Sequence, residues 1–430
     1  MRKKVLVIFM MFTLVLTGCA GASQDNGAAS GTSAEVATAK PTLTPYPEPA
    51  IVKNGYVHGD DGYFNLEDEV PIHMRAQEGG TCWLYAAALA METGYEMKHK
   101  KEVEIDPMSL LEYCYGENKK EGFFVEGADP KDFGGFSAVV VSALSNGFDK
   151  YVLDNAVTLR EDNPDTIKEY VKKYGALYIA IPDREPSKDG YYDGYTTKNW
   201  VTDDQEDYDH AVALVGWDDH FPKEYFKTEA SQDGAWITFN SRSNNEYFYI
   251  SYDTHFDFFP DGDSPMAMSI TDEYSAVASY DCGYDKYHSI KKDGKITTAN
   301  VFHKSGTLAA VGTYSVAKDQ DIKIQIYDAD FKKCLYTQEA HMDEEGYYTI
   351  PLDKPIEVKD YAIAITYNDI APTEGKGNKV EKIRFKTTSK KGESFVKIGK
   401  KWYDLYEKST LKKLKIKFPL RNCAIKGLYK

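Results

Sequence analysis

Apolar and polar residues follow four different patterns along the 430-residue chain. An apolar run after three basic residues comes first, and a stretch rich in Gly, Ala, Ser, Thr and Pro follows it. Helix-like and strand-like periodicities then alternate, and the last part of the chain shows short runs in which apolar and polar residues alternate. These patterns predict four regions: 1–18, 19–50, 51–275 and 276–430.

A buried helix is predicted to begin at or beside Cys82. Beyond this cysteine, apolar residues recur at intervals of three and four, at Leu84, Ala87, Ala88 and Met91. A pair of glycines just before the cysteine indicates a tight turn into the helix. A thiol at a helix N-terminus lies in the positive end of the helix dipole, which favours the thiolate. Cys82 is therefore a candidate nucleophile.

Two apolar runs farther along the chain are predicted strands, over 211–217 and 235–239. His210 stands at the entrance of the first strand, and Asn240 follows the end of the second. A nucleophilic cysteine needs an imidazole to take its proton and a third group to orient that imidazole. The order Cys82, His210, Asn240 supplies the three groups.

Short alternating runs dominate the chain after residue 276. Ile322, Ile324 and Ile326 alternate with polar residues, and turn residues separate this run from its neighbours. No helix-period stretch of useful length interrupts the pattern. The second half is therefore predicted to be an antiparallel β-sandwich of about 150 residues.

Composition narrows the possible partners and cofactors. Apolar residues make up 42% of the chain, which fits a globular protein, and the net charge of −15 repels phosphate backbones, so nucleic acid is excluded as a partner. The six cysteines contain no Cys-x-x-Cys pair, and His220 and His255 lack repeated ligand spacing, so neither a metal nor another cofactor is expected. The pairing of four cysteines stays open: Cys114, Cys282, Cys334 and Cys423.

The amino-terminal region has the features of an export signal. Its 12-residue apolar run is too short to span a bilayer and ends in Leu16-Thr17-Gly18-Cys19. This ending resembles the lipobox of bacterial lipoproteins, in which the signal is cut before the cysteine and the cysteine receives diacylglycerol. The resemblance implies lipidation of Cys19 and a place on the extracytoplasmic face of a bacterial cell membrane. The composition of residues 19–50, rich in Gly, Ala, Ser, Thr and Pro, predicts a flexible stalk. An ordinary cleaved signal is the alternative.

The catalytic candidates resemble those of the papain-like cysteine peptidases. In that family a helix carries the cysteine, later strands carry His and Asn, and the His follows the Cys by roughly 130 residues, as it does here. Gln77 matches the glutamine whose amide, with the Cys backbone N–H, forms the oxyanion hole. Gly134 and Gly135 match the segment whose backbone pairs with an extended substrate peptide.

The resemblance implies an α+β peptidase domain over 51–275. Cys82 would be the nucleophile, His210 the general base and then acid, and Asn240 the orienter of the imidazole. Two positions depart from the family pattern. Gln77 stands five residues before the cysteine instead of six, and Arg242 stands where the family has a shielding Trp.

The second half also carries a resemblance. The segments ANVFHK, GYYTIPL and KDYAIAITY, placed after a papain-like unit, are similar to the lectin-like domain found behind bacterial cell-surface papain-like proteins. The resemblance implies an all-β, lectin-like sandwich over 276–430 that is separable from the peptidase domain and binds a cell-surface glycan.

Two functions are compatible with these residues. The first is a lipid-anchored, extracytoplasmic cysteine peptidase that acts on peptide or protein substrates. The alternative is a catalytically silent surface protein that binds peptide or glycan for adhesion. The intact order Cys82, His210, Asn240 favours the enzyme, whereas Arg242 and the shortened glutamine spacing favour the binding protein.

Overall fold

The computed structural model describes most of the chain beyond the stalk. The described residues are 58–59, 61–115, 121–160, 163–181, 210–226, 230–241, 246–254, 265–283, 288–380 and 382–430. The signal segment, the stalk with Cys19, His255 and Arg242 lie outside them. Among the described residues, no helix combines the length and apolarity that a membrane span requires.

Helices and strands alternate in the first half. The helices are α1 (Cys82–His99), α2 (Pro107–Tyr115), α3 (Ser137–Leu144) and α4 (Pro164–Tyr174). The strands are β1 (Tyr63–Asn65), β2 (Gly122–Val125), β3 (Val152–Thr158), β4 (Leu177–Ile181), β5 (His210–Asp218), β6 (Ala235–Asn240), β7 (Glu246–Ser251) and β8 (Met266–Thr271).

The second half consists mainly of strands. They are β9 (Ala276–Ala278), β10 (Ile290–Phe302), β11 (Gly306–Ser315), β12 (Gln320–Asp328), β13 (Cys334–Met342), β14 (Glu345–Val358), β15 (Tyr361–Ala371), β16 (Gly377–Val380), β17 (Ile383–Lys386), β18 (Ser394–Ile398), β19 (Lys401–Asp404) and β20 (Ile425–Tyr429). One short helix, α5 (Lys408–Lys413), adds to what the sequence pattern predicts.

The predicted helix and strands of the first half are confirmed, and their placement follows from burial. Helix α1 is buried from Cys82 through Glu96 because small alanine side chains let it pack against the sheet on several sides. Strands β5 and β6 are antiparallel neighbours. The first residue of β5 and the last residue of β6 therefore lie at the same end of this strand pair.

The second half forms the predicted sandwich. The six-stranded sheet has the order β13-β12-β15-β10-β18-β19, and its inner side packs against β11, β14 and β20. Ile322, Ile324 and Ile326 are buried in this core while Lys323 between them is exposed. The period-two alternation thus decides which face of β12 points inward.

One sheet runs through both halves of the molecule. Its strand order is β7-β6-β5-β4-β8-β3-β14-β11-β20-β9, and β1 pairs with the last residues of β5. Strand β14 of the sandwich pairs with β3 of the first half, and Tyr314 and Tyr347 enter the core around α1. A second junction joins β17 to β2. The boundary at 275 and 276 stays a prediction, but the expectation of two separable domains is revised, because they share a sheet and a core.

Candidate active site

Cys82 is the first residue of α1 and is buried, with 6% of its surface exposed. The turn before it is fixed by a hydrogen bond from the Thr81 hydroxyl to the Glu78 carbonyl oxygen at 2.7 Å. Gly79 has a positive φ of 64°, and a Cβ there would lie 2.8 Å from the Lys131 carbonyl oxygen. The glycine is therefore needed for the tight turn that brings the chain to the thiol.

His210 and Asn240 meet at the same end of the paired strands β5 and β6. The Nε2 atom of His210 lies 2.8 Å from Oδ1 of Asn240, and both side chains are buried. A carbonyl oxygen only accepts, so Nε2 carries the proton that makes this bond. The other ring nitrogen is left for the Cys82 thiol, with which His210 also forms a hydrogen bond.

The site lowers the pKa of the Cys82 thiol below its ordinary value. Burial is the largest single influence and raises the pKa, because it disfavours the charged thiolate. The charge of His210, its hydrogen bond and backbone hydrogen bonds at Ala211 and Trp83 together act in the opposite direction and outweigh burial. The arrangement therefore favours a thiolate beside an imidazolium, the form in which a cysteine is nucleophilic.

Gln77 is held beside these groups by Ser241, the residue after Asn240. The backbone N–H of Gln77 donates to the Ser241 carbonyl oxygen at 2.6 Å, and the Ser241 hydroxyl donates to Gln77 Oε1 at 2.8 Å. The amide nitrogen of Gln77 donates to the Gly79 carbonyl oxygen at 2.7 Å. An amide carries two hydrogens, so this bond leaves the second for a substrate oxygen.

Gly135 lies against Trp83, the residue after Cys82, and Gly134 lies beside Gly80. A Cβ on Gly135 would come within 2.4 Å of the Trp83 indole, so only glycine lets the chain pass there. The Tyr115 hydroxyl donates to the Gly134 carbonyl oxygen at 3.1 Å. The structure thus brings the predicted substrate segment to the same end of α1 as Cys82.

An ion pair that the sequence analysis does not predict, between Arg75 and Glu92, lies close to this site. Arg75, two residues before Gln77, contacts both carboxylate oxygens of Glu92 at 2.8 Å and donates to the Ile105 carbonyl oxygen at 2.7 Å. Burial raises the pKa of Glu92 to about 7, although Arg75 opposes the shift. The sequence does indicate a buried partner for Glu92, because this acidic residue stands in the middle of the apolar face of α1.

Other candidate groups are not brought together. Among the described residues, no group of three or more His, Cys, Asp or Glu side chains is placed to hold a metal ion. In this part of the chain no disulfide bond joins any two of the described cysteines, which are Cys82, Cys114, Cys282, Cys334 and Cys423. Arg242, which departs from the family pattern, lies outside the described residues.

The comparisons with known proteins match both halves. Residues 278–418 match the family described as Lectin like domain. A structure of the clostridial cysteine protease Cwp84 after propeptide cleavage is 18% identical, with a TM-score of 0.68, and the match covers 85% of this chain and 98% of that one. This chain has the fold of a papain-like peptidase joined to a lectin-like domain.

A second structure gives the same result for the two-domain fold. It holds the cysteine protease and lectin-like domains of Cwp84, a surface layer associated protein of Clostridium difficile. It is 16% identical with a TM-score of 0.67, and the match covers 86% of this chain and 89% of that chain. No curated protein matches this chain in sequence. The predicted fold class is confirmed for both domains.

Proposed function

We propose that this protein is a lipid-anchored, extracytoplasmic cysteine peptidase that hydrolyses peptide bonds. Its catalytic residues are Cys82, His210 and Asn240, with Gln77 as an oxyanion donor. The observation that carries the proposal is the His210 imidazole, which is held at 2.8 Å by Asn240 and hydrogen-bonded to a thiol of lowered pKa at the start of a helix. The papain-like fold supports the same activity.

The reaction follows from the placement of these groups. The Cys82 thiolate attacks the carbonyl carbon of the scissile bond, and the carbonyl oxygen takes up the negative charge. The Cys82 backbone N–H and the Gln77 amide donate to that oxygen. The His210 imidazolium then gives its proton to the departing amine and leaves an acyl-enzyme. The neutral imidazole takes a proton from water, the hydroxide attacks the thioester, and Cys82 is released.

Covalent labelling tests this proposal. An epoxide that captures active cysteine peptidases should modify Cys82 at near-neutral pH, and mass spectrometry of the digested protein should locate the adduct. The internal controls are exposed Cys334, half-buried Cys282 and buried Cys423. Desolvation raises the pKa of Cys282 and of Cys423 to about 12. Equal reactivity at Cys334 or Cys114 would remove the main support for a peptidase.

The lipid anchor is a proposal from the sequence around Cys19. We expect Cys19→Ala to move the protein from the membrane fraction to the soluble extracytoplasmic fraction, because the acyl chains supply the membrane affinity at about 0.8 kcal/mol per buried CH₂. Detergent phase separation of the native and variant proteins measures the change. Equal partitioning of the two proteins would show that Cys19 carries no anchor.

The lectin-like domain supports a second role, the binding of a cell-surface glycan. Four partly exposed rings lie together on the side of the six-stranded sheet that faces away from the core: Tyr327, Phe331, Phe395 and Trp402. We name them the outer aromatic cluster. Phe331 stacks on Trp402 with ring centroids 4.3 Å apart. Partly exposed, preassembled aromatic faces are suited to stacking on the apolar faces of sugar rings.

Substitution in the outer aromatic cluster tests glycan binding. Trp402→Ala should reduce retention on bacterial cell-wall polysaccharide roughly tenfold, because it removes the largest ring of the platform. Tyr406→Ala is the matched control, since Tyr406 is 52% exposed and lies outside the cluster. Unchanged retention of a folded Trp402→Ala protein would exclude this face. Glycan binding without labelling of Cys82 would favour the catalytically silent binding protein.

A further inference from the structure

A hairpin of the lectin-like domain is built into the peptidase domain. Strands β16 and β17 form this hairpin, and β17 pairs with β2 instead of with either sandwich sheet. Ile383 lies opposite Val125, and Phe385 stacks on Phe123 with ring centroids 4.4 Å apart. Backbone pairing and ring packing therefore hold the hairpin in a fixed position on the peptidase.

The turn of this hairpin lies beside the segment that is expected to pair with substrate. The Glu126 backbone N–H donates to the Lys382 carbonyl oxygen at 2.8 Å. The Lys382 ammonium lies over the Phe133 ring, 4.7 Å from its centroid. Phe133 directly precedes Gly134 and Gly135, and Gly135 packs on Trp83, the residue after Cys82. A charge from the lectin-like domain therefore lies beside the segment that is expected to pair with substrate.

Several positively charged side chains lie on the hairpin or near it, and most of them form ion pairs with carboxylates. Arg384 donates to Glu126 at 2.8 Å through Nε, and Lys379 lies 3.9 Å from the same carboxylate. Lys131, two residues before Phe133, pairs with Glu78 at 2.9 Å. Lys382 is exposed and forms no ion pair with a carboxylate of the described residues. Its charge is available to a bound peptide.

We infer that Lys382 is a specificity-determining residue that makes the peptidase select substrates with an Asp or Glu side chain where the peptide passes Phe133. This inference rests on the proposed peptidase function and narrows its substrates to acidic peptides. The whole chain has a net charge of −15 and repels such peptides at long range. Salt at physiological ionic strength screens charges that are more than about 8 Å apart. The nearby Lys382 ammonium therefore acts on a bound peptide more strongly than the distant charges of the chain do.

Matched peptide pairs test the inference. A library of fluorogenic peptides with Glu or Gln at each position around the scissile bond gives kcat/KM for both side chains. We expect the native enzyme to prefer Glu at one position by about three- to fivefold, the range of a partly solvated ion pair. Lys382→Glu should reverse this preference, and 0.5 M salt should weaken it in the native enzyme. Lys386→Glu, at the far end of the same strand, should leave it unchanged.

A binding measurement distinguishes the inferred role of Lys382 from the proposed peptidase activity. Fluorescence anisotropy of the same peptides with Cys82→Ala protein measures charge selectivity without turnover. Charge-selective binding that Lys382→Glu abolishes, without cleavage by the native protein, would support the inference and contradict the peptidase. Cleavage with the same Glu-to-Gln ratio in native and Lys382→Glu enzyme would support the peptidase and overturn the inference. Absence of both cleavage and charge-selective binding would overturn both.

Discussion

Replacement of Cys82 by alanine should lower kcat/KM for any cleaved peptide by at least about a thousandfold, because loss of the nucleophile removes the covalent route. Asn240→Ala should lower it less. That variant keeps the thiol and the imidazole but removes the oxygen that orients His210 at 2.8 Å. Steady-state hydrolysis of a fluorogenic peptide measures both effects. Removal of both residues should cost little more than removal of Cys82 alone, because the two act as one unit.

Cys334→Ala is the control for these variants, since Cys334 is exposed and far from the site in the fold. It should retain native activity. The pH dependence adds an independent check. The pKa of Cys82 is lowered, so its alkylation should stay fast below the ordinary thiol pKa of about 8.5 and decline only as acid protonates the thiolate. A Cys82→Ala enzyme with native hydrolysis would contradict the catalytic assignment.

Removal of residues 276–430 should prevent the peptidase domain from folding. The truncated chain loses β14 from the edge of β3, together with Tyr314 and Tyr347 from the core around α1. Each buried aromatic ring contributes about 3 kcal/mol or more, whereas a whole domain is stable by roughly 5–15 kcal/mol. The bare edge of β3 would also expose backbone groups to intermolecular pairing. We expect aggregated, inactive protein in size-exclusion chromatography.

Expression of residues 276–430 as a separate chain in the same cells is the control for this experiment. It should restore soluble, active peptidase, because the missing strand and rings can dock from a second chain. Ion pairs such as Arg160 with Glu345, at 3.2 Å, would re-form with it. A soluble fragment over 51–275 that unfolds cooperatively and cleaves peptides at the native rate would show that the shared core is dispensable.

Short-range patterns were sufficient to locate most of the candidate site. The spacing of Leu84, Ala87, Ala88 and Met91 predicts where α1 lies, and the apolar run after His210 predicts β5. The meeting of His210 with Asn240 follows from their positions at the ends of two adjacent strands. The bond from the Gln77 amide to Gly79 could not be predicted, because it depends on how a five-residue turn closes in space.

The sequence by itself determined the β-sandwich of the second half, the order of the candidate catalytic residues and the inward face of β12, because side-chain period and helix position are local properties of the chain. The peptidase fold followed from the resemblance of those candidates to a known family. Only the tertiary structure decided that β3 pairs with β14 and that β17 pairs with β2. A strand in which apolar and polar residues alternate can pair with many other strands and in several registers. The pairing that forms therefore depends on contacts between residues far apart in sequence. Those pairings placed Lys382 beside Phe133, a position that no local motif indicates.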